Sequence, residues 1–124
     1  MRHTLRVELN CLAESSGNAE PKPLVANLGA MVEFAHKGIV SKTLLDTAYT
    51  KVVLFCMETG QSLSEHTASM PAAIHVLDGH GQVRLGDEAY EARQGVWIHM
   101  PAETRHAVTA DYNLVFLLTL FKPY

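Results

Sequence analysis

Gly60-Gln61-Ser62-Leu63-Ser64-Glu65-His66 and Pro101-Ala102-Glu103-Thr104-Arg105-His106 decide the reading of this chain. Each stretch ends on a histidine, and the two histidines stand forty residues apart. His66 comes six positions after Gly60, and Pro101 comes six after Gly95. The sequence between them is punctuated by Asp78-Gly79 and Gly86-Asp87. Glycine tolerates positive φ, so such pairs suit tight turns between antiparallel strands. Two histidines carried to one place by successive hairpins would share a pocket with metal-binding or acid–base capacity.

The flanking sequence is rich in strand signals. Residues 38–45 alternate loosely and are rich in β-formers. Residues 51–57 are apolar at consecutive positions over too short a length for an ordinary helix. That pattern predicts a strand buried on both faces. Further strands are predicted at residues 72–77, on both sides of Gly86-Asp87, and at 96–100 between Gly95 and Pro101. Residues 114–121 predict a final strand at the centre of a sheet, and residues 25–31 one short helical turn. Eight or more short strands with almost no helix define an all-β sandwich or barrel. No internal repeat is evident.

A chain of 124 residues predicts one domain. Apolar residues make up 48% and charged residues 19%, a globular balance. The formal net charge of −3 leaves no electrostatic footprint for nucleic acid or an anionic membrane. No apolar run reaches the roughly 18 residues of a membrane span, and the basic residues near Met1 are followed by no apolar segment. A soluble, cytoplasmic protein is therefore expected. Cys11 and Cys56 are isolated thiols, Cys56 inside an apolar run, so a disulfide framework is not expected. Residues 1–24 have linker composition around Pro21-Lys22-Pro23 and predict a leader, peripheral or exchanged as a strand with a partner. Residues 25–124 predict the single barrel domain.

The two motif stretches resemble the two sequence motifs of the cupin superfamily, and the resemblance runs from about Gly38 to Lys122. The first family motif has a glycine, a His-x-His pair, a glutamate and a closing glycine. Gly60, His66 and Gly79 match it. The second has a glycine, Pro-x-Gly and a histidine. Gly95, Pro101 and His106 match it, with Glu103 in the place of the usual glycine. Leu63-Ser64-Glu65-His66-Thr67-Ala68 and Phe116-Leu117-Leu118-Thr119 also resemble small single-domain bacterial cupins of unassigned activity. The resemblance implies a double-stranded β-helix, or jelly roll, assembled as a homodimer. The apolar residues 51–57 and 114–121 point to the same assembly through outer faces and sheet edges.

In metal-binding cupins the second histidine of the pair and the glutamate are ligands, and those positions here are Ala68 and Ala72. Only His66 and His106 carry over as metal ligands. Catalytic zinc usually takes three protein ligands, and non-haem iron takes two histidines and a carboxylate. A third donor is sought among His99, His75, Glu103, Glu65 and His80. Strand alternation turns His75 away from any inward Ala72 and Glu65 away from His66. His80 is expected in a solvated turn, and Glu103 near the barrel mouth. His99 precedes Met100 and Pro101 and is the candidate most able to join the pair.

The two alanines also have a positive reading, because they leave room around two imidazoles. Met70, Met100, Ile74 and Trp97 are candidates to line the same space. A largely apolar cavity with a few polar groups is how small-molecule sites are built. The expected function is therefore binding of a small organic ligand by His66, His106, His99, Met70, Ala68, Ala72, Met100 and Trp97, without a complete metal site. The alternative is a metal-dependent dioxygenase, isomerase or decarboxylase using His66, His106, a third ligand and a divalent zinc, nickel, iron or manganese ion. A metal-free acid–base enzyme using the same two histidines is the third possibility. Phosphate-binding glycine loops, nucleophile elbows and Cys-x-x-Cys pairs are absent from the sequence.

Overall fold

A computed structural model describes residues 22–123. Cys11 and nearly all of the leader expected at residues 1–24 lie outside the described residues. Among the described residues the chain forms one short helix, α1 (Leu28–Met31), and nine strands. These are β1 (Ile39–Asp46), β2 (Thr50–Met57), β3 (Ser62–His66), β4 (Ala72–Asp78), β5 (His80–Leu85), β6 (Glu88–Arg93), β7 (Trp97–Met100), β8 (His106–Ala110) and β9 (Leu114–Phe121). The helix starts where the Asn27 side chain accepts the Ala30 N–H, and it stops where Val32 turns extended.

Five strands form one sheet in the order β1-β2-β9-β4-β7, and four form a second in the order β3-β8-β5-β6. All strand pairs are antiparallel. The result is a double-stranded β-helix, the jelly roll that the resemblance implied, within the sandwich or barrel class expected from the strand spacing. The last strand, β9, lies at the centre of its sheet between β2 and β4, as its apolar composition predicted. The motif strands β3 and β8 were not assigned from sequence. Their alternation is masked by serine, glutamate and histidine, and most of β3 is exposed.

The core lies between the sheets. Ala72, Ile74 and Val76 of β4, Leu114 and Phe116 of β9, and Met57 of β2 face Val83, Ala92, Val108 and Ala110 of the other sheet. Phe55 and Phe116 are cross-strand partners whose rings stack 5.0 Å apart. Such a pair adds about 0.5–1.5 kcal/mol beyond its buried area.

A second cluster covers the outer face of the five-stranded sheet. There Val40, Leu54, Cys56 and Val115 meet Met31 at the end of α1 and Phe34 and Ala35 from the segment after it. Lys42, buried on β1, holds the carboxylate of Glu33 at 3.1 Å and ties that segment to the sheet. Residues 51–57 are thus apolar on successive positions because β2 is covered on both sides. Part of the outer face counted towards a homodimer is covered by the chain itself. Burial pushes the Cys56 thiol above its ordinary range, against a smaller opposing effect of a hydrogen bond from the Glu33 backbone.

Gly79, in the turn between β4 and β5, has φ +91°, and a Cβ there would lie 1.8 Å from the Asn113 carbonyl oxygen. Gly60 has a similar φ of +88° but open space around it. Both backbones disfavour an L side chain, yet only Gly79 also has no room for one. Gly79→Ala should cost about 3 kcal/mol or more, since backbone strain and an immovable clash add. Gly60→Ala should cost about 1–2 kcal/mol from strain alone. Urea unfolding of the two variants measures the difference, and equal losses would remove the role given to the Asn113 contact.

Candidate functional site

The two motif histidines become neighbours through one irregularity. Ser62 and Leu63 of β3 pair with Thr109 and Val108 of β8. Continued without change, that register would set Arg105 opposite His66. The register instead shifts between Leu63 and His66, so two residues of β3, Ser64 and Glu65, oppose the single Ala107. This is a β-bulge, which re-aims side chains by one position. His66 therefore stands opposite His106, on the face that carries Val108 into the core. Their rings lie 4.1 Å apart at 60°.

Glu65 is turned to the outer face by the same bulge. It receives Arg105 Nη1 at 2.9 Å and lies 3.6 Å from Arg84 Nη2. Arg105 also reaches Asp87, and those two carboxylates, Asp87 first, hold its guanidinium above its ordinary range. The charges near the motif are thereby neutralised outside the barrel wall.

Both imidazoles are anchored in the same way. His66 Nδ1 lies 2.9 Å from the Ser64 carbonyl oxygen, and His106 Nδ1 lies 3.0 Å from that of Thr104. A carbonyl oxygen only accepts, so each Nδ1 carries the hydrogen and donates it. With the Nδ1 hydrogen so committed, the tautomer of the uncharged ring presents a lone pair on Nε2. A metal-binding histidine is held in the same manner, and so is a histidine that accepts a proton or a hydrogen bond.

Across the barrel, Ala72 of β4 is flanked by Met100 on β7 and Leu120 on β9. The next row inward, Ile98, Ile74 and Leu118, is filled by larger side chains. The small side chain at position 72 leaves a cavity of about 190 Å³ facing the two histidines. Ala68 and Met70, from the connection between β3 and β4, complete its wall, and Pro101 and Thr104 stand at its rim. The Glu103 N–H donates to the Ala68 carbonyl at 2.8 Å and joins the two motif loops.

His66, His106, Met70, Ala68, Ala72 and Met100 are thus brought together as expected from the sequence. Trp97 and His99 are not. Odd-numbered residues of β7 face out, so Trp97 is 62% exposed and His99 stacks on it 6.4 Å away, while Met100 faces in. The expectation that His99 and Trp97 line the pocket is corrected by this alternation. Ile74 lies inward but outside the cavity wall. Sequence reasoning missed Pro101, Thr104, Leu118 and Leu120 as lining residues. The two leucines carried the required signal, since both fall on the inner face of the predicted last strand.

The other candidate third donors are also elsewhere. His75 is exposed opposite Trp97. Glu103 is exposed at the mouth. His80 opens β5 at the end away from His106, with Nε2 2.7 Å from Glu91 and Nδ1 3.2 Å from Asp111. It is engaged by carboxylates rather than solvated. The hydrogen bond from His80, with Arg93 second, holds the Glu91 carboxyl below the usual range. Among the described residues no three His, Cys, Asp or Glu side chains converge as a metal site would require. The donor set of two imidazoles does not fit the four-ligand metal of the resemblance.

A family model described as a cupin domain matches residues 53–120. No curated protein matches the sequence. Among solved structures, the chain is similar to a conserved protein of unknown function from Streptococcus pyogenes. The two are 27% identical with a TM-score of 0.74, over 87% of this chain and 94% of that one. It is also similar to an RmlC-like cupin protein from Desulfovibrio desulfuricans, at 27% identity and TM-score 0.75, over 83% of this chain and all of that one. A cupin 2 conserved barrel domain protein from Leptotrichia buccalis shares 33% identity and a TM-score of 0.74, over 78% of this chain and 47% of that one.

Glu103, in the place of the motif glycine, has φ +67°. A left-handed backbone costs a side-chain-bearing residue about 1–2 kcal/mol, and glycine recovers this less its own entropy of about 0.5–1 kcal/mol. Glu103→Gly should therefore stabilise the protein by about 0.5–1 kcal/mol. Thermal or urea unfolding measures it, and a net loss would show that the glutamate side chain stabilises the mouth.

Proposed function

The chain belongs to the cupin family, and we propose that it binds a small organic molecule in the cavity between its two motif histidines, with no resident metal. One observation carries this reading. Where the family pattern has two further ligands, Ala68 and Ala72 line an open, mostly apolar space facing His66 and His106. An apolar wall with a few oriented polar atoms is the usual build of a small-molecule site. At about 190 Å³ the cavity is smaller than the roughly 300–1,000 Å³ of drug-sized sites. A cavity of about 150 Å³ lined by apolar side chains holds benzene. The ligand is therefore about the size of one substituted six-membered ring.

The metal-dependent alternative draws on the free Nε2 lone pairs, since anchored imidazoles suit a divalent metal. It lacks a third protein donor among the described residues. The reading adopted here needs no further ligand.

Toluene is a suitable probe of the space itself. Its titration should shift the methyl resonances of Ala68, Ala72, Met70 and Met100, and Ala72→Leu, which fills the cavity, should abolish those shifts while the fold is kept. Elemental analysis of protein purified without chelator or affinity-tag metal should find no stoichiometric metal. Near-stoichiometric metal that disappears in the His66→Ala, His106→Ala double variant would overturn the metal-free reading, and a cavity that admits no toluene would overturn the ligand-binding one.

A further inference from the structure

The polar side chains of the cavity wall share one property. Three side chains in the wall carry a nitrogen or oxygen: His66, His106 and Thr104. Each has already given its hydrogen to the backbone. His66 Nδ1 donates to Ser64, His106 Nδ1 donates to Thr104, and Thr104 Oγ1 donates to the Pro101 carbonyl at 2.7 Å. On these side chains what remains is two Nε2 lone pairs and the free lone pairs of one hydroxyl. At the rim, the Glu103 N–H is committed to Ala68 and the Thr104 N–H to Pro101, and Pro101 has no N–H. No lysine or arginine lines the cavity, and no carboxylate does.

A wall of acceptors selects its ligand. A carboxylate, phosphate or ketone brings only acceptors and would leave lone pairs facing lone pairs in an apolar space, where each unpaired polar group costs about 1–3 kcal/mol. An ammonium group has donors, but its charge would be buried without a carboxylate to balance it. A neutral hydroxyl supplies the missing hydrogen without a charge. Resting on the reading of this cavity as an organic-ligand site, we infer that its ligand is a neutral hydroxyl compound of about one ring, a phenol or cyclic alcohol, whose O–H donates to the Nε2 of His66 or His106.

The selectivity resides in the tautomer. Were either ring to carry its hydrogen on Nε2, the same cavity would favour a carbonyl or carboxylate. The Ser64 and Thr104 carbonyls therefore act as positioning groups for ligand choice, and the bulge that aims His66 inward sets both acceptors on one face.

The test compares toluene, phenol, anisole and benzoate, with affinities read by NMR titration. Toluene reports whether the cavity is open at all, so its failure to bind would remove the ligand-site reading itself. With toluene bound, phenol should bind at least about fivefold tighter than anisole, which has the oxygen without the hydrogen, and benzoate should bind at least tenfold more weakly than phenol. His66→Leu, His106→Leu should reduce the preference for phenol over toluene about tenfold or more, the loss expected for an unpaired hydroxyl (about 1.4 kcal/mol per tenfold). A ¹⁵N spectrum of the unmodified protein gives a reading that does not depend on the variant folding. Both rings should show Nδ1–H with unprotonated Nε2, and phenol should shift the Nε2 signals. Equal affinity for phenol and anisole, tight benzoate binding, or Nε2–H tautomers would each overturn the inference while the cavity reading stands.

Discussion

The site depends on a single extra residue in the β3–β8 pairing. Strand side chains alternate strictly, so a one-residue shift exchanges inside for outside along the rest of the strand. The bulge at Ser64 and Glu65 applies that exchange at one point. Upstream of it Leu63 packs against the core, and downstream of it His66, though exposed, turns to the same side, three positions on rather than two or four. The same step sends Glu65 out to Arg105 and Arg84. Without the bulge the register would set Arg105, not His106, opposite His66 and part the two imidazoles.

The second requirement is empty space opposite the histidines. The inner faces of β7, β4 and β9 run in rows, and the row nearest the barrel mouth has alanine at its centre. An alanine flanked by Met100 and Leu120 cannot fill the gap that Ile74 closes one row deeper. The substitution that removes a family ligand is therefore also the one that makes room for a molecule. At position 72 one side chain both lacks a ligating atom and leaves volume, which is why the metal and the organic-ligand readings meet at the same place.

The architecture around the site was well marked in the sequence. Turn glycines, short apolar runs and the final strand's composition located most of the nine strands, and the motif histidines located the cavity. The errors cluster where a residue's face was at issue. His99 and Trp97 sit on a four-residue strand whose register is set by pairing with β4, and sequence alone leaves its phase open. β3 and β8 were unassigned because their buried positions are shared with histidines and small residues. The covered outer face of β2 read correctly as apolar on both sides, but nothing local said that Met31, Phe34 and Ala35 of the same chain would cover it.

The sequence by itself determined the all-β class, the family motifs, the two histidines and the absence of the other two ligands. These are matters of residue identity and period, which need no long-range contact to be read. The tertiary structure alone decided that His66 faces His106, that the Nδ1 of each ring meets a backbone carbonyl, and that Ala72 opens a cavity in front of them. Each of those follows from a register or a hydrogen bond between residues brought together by pairing, and pairing registers are fixed by the closed barrel as a whole.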